Sequence, residues 1–429
     1  MRVLHLTPGT GTFHCGSCLR DNVLIKALRG RGHEAIMVPL YLPLVTDREP
    51  ASPGQEIRVG GINLYFQQKF PWFYHLPEWL HRALNRPALL RLAARGMGMT
   101  SARLLGEMTL GSLLGKDGRQ WAEWRKLVTW LKDNAHPDVV SLSNSLLTGL
   151  APAIREELGV PVVVSLQGED SFLDTLAEPW KEQAWEALQR NAESVCRFIA
   201  PSRFYQEMMA PRLGVPLDRI TVLPNALPAH AFHSAEPDLR RPVIGYLARM
   251  IHGKGLTTFV DALIDLATQP GRERVRFHIG GALTPADHAY VEDLKKKIQQ
   301  AGLTSRVTWM PNLTFEEKLR FYRDLTLFSV PATYGEAFGL YVLEAMTCGV
   351  PVVQPQHGAF PELIDATGGG VLCAPDDAAA LARAWAELLD DPERLADLRQ
   401  AGQRAVARDF QPTLMAERFD AVLTECRSA

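Results

Sequence analysis

Short apolar runs recur along the chain, each followed by a turn and then by apolar residues at helical spacing. RVLHLT (2–7) is the first run, PGTGTFHCGS the Gly-rich turn after it. In LRDNVLIKALRGRG, Leu19, Val23, Leu24, Ala27 and Leu28 share one helical face, and Gly30 or Gly32 ends the element. HEAIMVPLY is the next strand. The pattern returns with PDVVSLS, the helix SLLTGLAPAIREELG and the fully apolar strand VPVVVSLQ, then the helix EPWKEQAWEALQRNAESV, the strand RFIAPS and ITVLPNAL. An uninterrupted apolar strand is covered on both faces, as in a parallel sheet.

A Pro-rich stretch from Pro224 to Pro242 reads as a linker, after which the pattern restarts. Strands PVIGYLA, VRFHIGG, RVTWMP, TLFSVP and VPVVQP alternate with helices GLTTFVDALIDLAT, AYVEDLKKKIQQAG, FEEKLRFYRDL, GLYVLEAMTCG and AAALARAWAELLD. An amphipathic helix near Thr413–Glu425 closes the chain. The fold class predicted is α/β, with two doubly wound Rossmann-like domains facing across a cleft. The first domain covers 1–228 and the second 229–409, with 410–429 as the closing helix. Ligands in such sheets bind beyond the carboxyl ends of the strands.

The stretch 69–126 breaks this alternation. It carries ten Lys or Arg against four Asp or Glu, interleaved with aromatic and leucine residues, and marks a helical insertion of the first domain at about 66–130. Such a mix can lie on an anionic membrane surface, or it can pack over the domain with its arginines solvated. Over the whole 429-residue chain the net charge is −2, which gives no basic footprint for nucleic acid. Six cysteines are sparse for this length and, apart from Cys15 and Cys18, far apart; they read as no disulfide framework and as a reducing compartment. The first ten residues hold too short an apolar run for a signal peptide, and no stretch is long enough to span a bilayer. The expected location is cytoplasmic, with a peripheral position at the inner membrane face through 69–126 as the alternative.

The candidate chemistry gathers in ATYGEAFGLYVLEAMTCGVPVV. Glu336 falls in the loop after TLFSVP and Glu344 one turn into the next helix, with seven residues between them. Gly339 admits a close ligand approach, and the amides of Phe338, Gly339 and Leu340 at the helix start suit a phosphate. The two carboxylates can accept hydroxyls of a ribose and of a second polar ring. A second loop, GYLARMIHGKGL, brings Arg249 and Lys254, a bidentate grip and a point charge for a diphosphate. His252 between them reads as exposed filler.

Taken together, R-x4-K-G, GEAFGL-x3-EAM-x-CG-PVV, HGAFPELI and PDVV…SLLTGLAPAIREELGVPVVVSLQGED resemble the family-4 glycosyltransferases of GT-B fold, over nearly the whole chain except about 50–130. The resemblance implies a retaining, metal-independent transferase that moves a hexosyl-type sugar from a UDP- or GDP-sugar and needs no cofactor. By the same mapping Arg249 and Lys254 bind the diphosphate, Glu344 the ribose and Glu336 the transferred sugar. Gly358 and Glu362 lie near the same mouth, and Met310–Asn312 is implied to be the nucleobase contact. The acceptor, a glycan, a lipid or a small molecule, falls to the first domain, near Gly16, Ser17, Asp21, Asn22, Glu169 and Asp170. Glu169 and Asp170 can equally cap the following helix.

Where the family carries a histidine after the buried first-domain strand, this chain has Gln167, which can donate a hydrogen bond but cannot titrate. A front-face mechanism, in which the leaving phosphate takes the acceptor proton, survives that change. A nucleotide-sugar-binding protein without transfer, or an epimerase on the same fold, are the alternatives. Cys15 and Cys18 flank the Gly16–Ser17 turn. They read as a tight turn lining the cleft, as a redox-sensitive pair, or as a metal clip lacking a fourth ligand; the expectation is no metal.

Overall fold

The computed structural model describes residues 1–9, 16–41, 51–52, 102–229, 232, 234 and 236–428, with side chains of the 102 helix from residue 105 onward. The expected insertion at about 66–130, and with it the membrane-facing reading, lies largely outside the described residues. So does Cys15. Two compact units emerge: Met1–Ala226 with Pro412–Ala429, and Leu227–Gln411.

Unit 1 runs β1 (Arg2–Thr7), α1 (Gly16–Gly30), β2 (Glu34–Pro39), α2 (Ala102–Leu113), α3 (Trp121–Trp130) and β3 (Val139–Leu142). It continues with α4 (Ala151–Leu158), β4 (Val162–Ser165), α5 (Asp170–Leu173), α6 (Trp180–Ala192), β5 (Arg197–Ala200), α7 (Arg203–Leu213) and β6 (Ile220–Val222). The strands form one parallel sheet in the order β2-β1-β3-β4-β5-β6. Every residue of β3 and β4 is buried, which is why VVSL and VVVS show no polar alternation. The order reverses between β1 and β3, and the loops leaving those two strands diverge there.

Unit 2 holds β7 (Val243–Leu247), α8 (Leu256–Thr268), β8 (Arg276–Gly281), α9 (His288–Gln300), β9 (Val307–Pro311), α10 (Phe315–Arg323) and β10 (Leu327–Phe328). Then follow α11 (Leu340–Thr347), β11 (Val352–Pro355), α12 (Phe360–Thr367), β12 (Gly370–Cys373), α13 (Ala378–Leu389) and α14 (Pro392–Asp409). Its parallel sheet has the order β12-β11-β10-β7-β8-β9, with the reversal between β7 and β10. The core is built around Trp385, fully buried, edge-on to Phe259, with its indole N–H donating to Ser329 Oγ at 2.9 Å.

Helix α15 (Pro412–Ser428) returns to unit 1. Met415, Ala416, Phe419, Val422 and Leu423 bury one face against Leu24, Ile25 and Leu28 of α1 and the sheet behind them. Burial of each large side chain contributes about 1.5–3 kcal/mol. Asp420 adds contacts to Arg31 (3.1 Å) and His33 (2.9 Å). A disulfide joins Cys196, at the start of β5, to Cys426 near the end of α15, across 230 residues. This corrects the expectation of a chain without disulfides: wide spacing hid a pair that the fold brings together.

Three helices were not readable. α14 buries only Leu395, Gly402, Ala405 and Val406, a stripe of mostly small residues in a charged sequence, so its apolar period is weak. α7 and α12 carry an internal or leading proline that reads as a breaker.

Candidate functional site

The reversal in unit 2 puts two loops side by side. The loop after β7 carries Arg249 and Lys254; the loop after β10 carries Glu336 and leads into α11. Their approach is enforced by Gly255, whose φ is 70° and where a Cβ would stand 1.6 Å from the Pro331 carbonyl oxygen. Thr333 N donates to the Gly253 carbonyl at 3.0 Å across the same seam.

Lys254 and Glu336 meet there. Lys254 Nζ donates to Glu336 Oε2 at 2.5 Å, and the Tyr341 hydroxyl donates to the same oxygen at 2.8 Å. The lysine lies over Tyr334, 4.8 Å from the ring centre. Burial works against the Lys254 ammonium, but the Glu336 carboxylate and Tyr334 outweigh it and hold the lysine above its ordinary pKa. Lys254 is therefore a fixed cation at neutral pH. Because both donors share Oε2, Glu336 Oε1 has no hydrogen-bond partner among the described residues. Gly358 (φ 62°) supports this loop: a Cβ there would press on Glu336 N at 2.6 Å, and Ala359 N donates to the Glu336 carbonyl at 2.9 Å. Gly358 thus shapes the Glu336 loop.

Glu344 is arranged differently. Lys318 Nζ donates to its Oε1 and the Tyr322 hydroxyl to its Oε2, each at 2.9 Å. The residue is buried, and each of its carboxylate oxygens already holds one internal donor. Gly339 takes the left-handed conformation (φ 84°) at the start of α11, and the amides of Phe338, Gly339 and Leu340 lead into a helix of eight residues. Glu362 sits half-buried in the first turn of α12. Arg249 is half-exposed and turned toward Asp287 at 3.6 Å. Met310 lies in β9, and the Asn312 side chain is taken up by the backbone of Leu283, accepting at 3.0 Å and donating at 3.2 Å. Sequence reasoning missed Tyr341, Tyr334, Lys318 and Tyr322. The i, i+4 spacing of Lys318 and Tyr322 on one helix was the available signal.

In unit 1 the corresponding reversal is filled by a buried polar cluster. Asp21 accepts from Ser143 Oγ (2.5 Å), Arg20 (3.1 Å), Thr7 (3.4 Å) and the Gln167 amide (3.4 Å), with His5 Nε2 at 3.2 Å. Burial would raise the Asp21 carboxyl, but His5, Arg20 and Ser143 overcome it and keep it below the ordinary aspartate value. Gln167 Nε2 also donates to the Ser143 carbonyl at 2.5 Å. Ser143 O and the Asp21 carboxylate only accept, so the amide nitrogen must face them. The donor role expected of Gln167 is thereby corrected: its N–H groups are spent internally, and Oε1 is the atom left over.

Asn22 is also turned inward, its Oδ1 accepting from Ala51 N at 2.6 Å. A ligand would have to displace the internal partners of Asp21 and Asn22 to reach either side chain. Glu169 does not cap α5 through its side chain. It accepts from Ser145 N (2.8 Å), Gln167 N (2.7 Å) and the Tyr205 hydroxyl (3.2 Å), pinning two loops together. Burial pushes its carboxyl upward against these donors. Asp170 accepts from Tyr205 at 2.7 Å, Gly16 is exposed and Ser17 half-buried at the start of α1. Cys18 is buried. Among the described residues no group of three or more His, Cys, Asp or Glu is placed to hold a metal, and no helix is long and apolar enough to cross a membrane.

The family model of Glycosyl transferases group 1 matches residues 231–405, and that of Glycosyltransferase Family 4 matches residues 106–230. The chain belongs to the family-4 glycosyltransferases of GT-B fold. It is 36% identical over 177 residues to the lipopolysaccharide core biosynthesis mannosyltransferase LpsB of Rhizobium meliloti, covering 40% of this chain and 48% of that protein. The chain spans about half the length of this and the next curated relatives it matches. Among solved structures it resembles Anabaena Alr3699/HepE in complex with UDP, at 18% identity and a TM-score of 0.68 over 99% of this chain and all of that one. The sucrose-phosphate synthase of Thermosynechococcus elongatus aligns over both full chains at 17% identity and a TM-score of 0.70. These two share the fold.

Proposed function

We propose that the protein is a retaining glycosyltransferase whose second unit holds a nucleotide-diphospho-sugar. The observation that carries this reading is the Lys254–Glu336–Tyr341 cluster beside the start of α11: a fixed cation, a carboxylate with one oxygen unengaged among the described residues, and helix amides. A UDP- or GDP-sugar supplies matching groups, with diphosphate oxygens for Arg249, Lys254 and the amides, and a sugar hydroxyl for Glu336 Oε1. The acceptor, which we take to be a glycan, lipid or small molecule, falls to unit 1. A lipopolysaccharide mannosyltransferase among the relatives supports a glycan or lipid-linked one.

In the step proposed, the bond from the anomeric carbon to the β-phosphate oxygen breaks while the acceptor oxygen bonds that carbon on the same face. The acceptor proton passes to the departing phosphate. The enzyme's part is to neutralise charge that grows on the diphosphate, which falls to the cations of Arg249 and Lys254. Gln167 enters no proton transfer. Because two side-chain cations are available to the diphosphate, we infer that neither a metal nor a cofactor is needed. Supporting this, the family resemblance covers both loops that contribute these groups.

The test is incubation of the purified protein with UDP-, GDP- and ADP-sugars, with and without a chelator. Release of free nucleotide with acceptor-linked sugar of retained anomeric configuration is expected, unchanged by the chelator. A new sugar isomer with no nucleotide released would point to epimerisation. Saturable binding with neither product would leave only a nucleotide-sugar-binding protein.

A further inference from the structure

We infer that His357, on the loop after β11, is a positioning residue: it latches the segment that carries Glu336 and so governs turnover of a bound donor, not its capture. The inference rests on the function proposed above. The need for a latch comes from a short strand. β10 spans two residues, and its ladder to β11 holds one register pair, Phe328 with Val352. Beyond that pair the chain still has to reach Glu336, and side chains of β11 and its loop take over from the ladder. Val330 N donates to Gln354 Oε1 at 3.2 Å. The His357 ring donates from Nε2 to the Ala332 carbonyl at 2.7 Å. Ala359 N closes the series on the Glu336 carbonyl at 2.9 Å.

The His357 bond falls where the segment turns toward the site. Thr333, the next residue, donates to the Gly253 carbonyl of the loop after β7. Ala332 and Thr333 therefore tie the segment to its neighbours on both sides. Tyr334 and Gly335 alone stand between these ties and Glu336. Lys254 lies over the Tyr334 ring and reaches Glu336 Oε2, so the ties decide where ring, ammonium and carboxylate meet. Ala332 is 1% exposed, and water cannot replace a lost donor at a buried carbonyl. A carbonyl only accepts, so Nε2 carries the hydrogen; the ring donates in this way whether Nδ1 is bare or protonated. The groups that would grip the diphosphate do not hang on this bond: Arg249 and Lys254 come from the loop after β7, and the amides belong to the start of α11. Glu336 does hang on it. Misplacing a group at the reacting centre by about 1 Å can cost about 10²-fold in rate.

Three variants test the latch. His357→Phe keeps a ring and removes the donor. His357→Gln puts an amide nitrogen as many bonds from Cβ as Nε2 is, and His357→Asn puts one where Nδ1 stands. Each is studied well below its own unfolding midpoint. Hydrogen exchange is followed in the 331–339 segment, nucleotide release from UDP-glucose and GDP-mannose with water as acceptor, and affinity for UDP and GDP by calorimetry. His357→Phe should exchange faster in 331–339 and release nucleotide about 10–100-fold more slowly, with affinity for the preferred nucleotide within about twofold of the parent's. His357→Gln should recover most of the rate, and His357→Asn should behave like the phenylalanine variant. A folded His357→Phe protein that matches the parent in release or in exchange overturns the inference, as does one whose nucleotide affinity falls as far as its rate. Recovery by Asn but not by Gln overturns it too, because Nδ1 would then be the working atom. Should His357→Phe fail to fold, equal release by the Gln and Asn variants overturns it instead. A parent that releases nucleotide from neither sugar refutes the function proposal and takes this inference with it, whereas release that is indifferent to His357 refutes this inference alone.

Discussion

Both units reverse strand order near the middle of a six-stranded parallel sheet, and both place a carboxylate there, yet the two carboxylates are treated in opposite ways. In unit 1, Asp21 is saturated: Ser143, Thr7, Gln167, Arg20 and His5 surround it and no surface remains exposed. In unit 2, Glu336 takes both of its donors on one oxygen and keeps the other unengaged among the described residues. Topology fixes where polar chemistry collects. The partner count then decides whether a carboxylate serves the fold or a ligand. On this view Asp21 is an internal strut and Glu336 a working group, and each half of the contrast can be broken separately.

The largest effect should come from the strut. Asp21→Ala leaves the Arg20 guanidinium, itself 2% exposed, without its carboxylate partner. Removing one partner of a buried pair costs about 3–5 kcal/mol, read as a fall in the unfolding midpoint of unit 1 by denaturant titration. The pH dependence follows from the lowered folded pKa of Asp21. Its stabilisation is complete above the unfolded aspartate value, about pH 3.9, and is lost as pH falls through the depressed folded value. The gap between parent and variant should therefore narrow below that pH. Glu169, raised by burial, acts in the opposite sense: it costs stability at neutral pH, and the cost is relieved on acidification. A gap that widened in acid would show that Asp21 is not the stabilising member of the cluster.

Next comes Glu336→Ala, whose effect falls on turnover instead. Loss of a preorganised group at the reacting centre costs about 10²–10³ in rate, while the thermal midpoint should fall less than in Asp21→Ala, because the Lys254 side chain keeps 17% of its surface exposed where Arg20 keeps 2%. Turnover within a few-fold of the parent would remove Glu336 from the site, and a collapsed midpoint would make it a second strut.

How legible this was in the sequence differs between the units for a physical reason. The parallel sheets and the Arg249–Lys254 and Glu336–Glu344 loops announce themselves by apolar runs, glycines and charge spacing. Partners of the carboxylates do not. Tyr341 and Tyr322 look like core aromatics, and Lys318 looks like one charge among several on a polar helix face, until the fold shows them converging. In unit 1 the saturation of Asp21 draws on β1, α1, β3 and the loop after β4, so no local window contains it. The Cys196–Cys426 disulfide escaped for the same cause, 230 residues of separation.

That disulfide gives a third test, on the fold-serving side. Cys426→Ser should lower the stability of unit 1 by about 2–4 kcal/mol under oxidising conditions and leave it little changed when the parent is first reduced. Alkylation without reduction should label two fewer cysteines than alkylation after it. Equal labelling would mean that the pair is reduced in the protein as prepared, and the stability difference should then vanish too.

The smallest effect separates two readings of one amide. Gln167 stands at the edge of the strut, with its nitrogen held by the Ser143 carbonyl and the Asp21 carboxylate. Gln167→Met deletes those bonds and nothing more, a loss of about 1 kcal/mol. Gln167→Glu keeps the size but must turn a carboxylate oxygen toward two acceptors, one of them charged. It should destabilise unit 1 more than the methionine does, and increasingly so as pH rises through the range in which the new carboxyl ionises. Were the amide instead turned with its oxygen inward, the glutamate would be tolerated at least as well as the methionine. Gln167 would then offer donors outward, as the unfilled lone pairs of Glu336 do acceptors, and the contrast between the saturated and the open unit would fail at this residue.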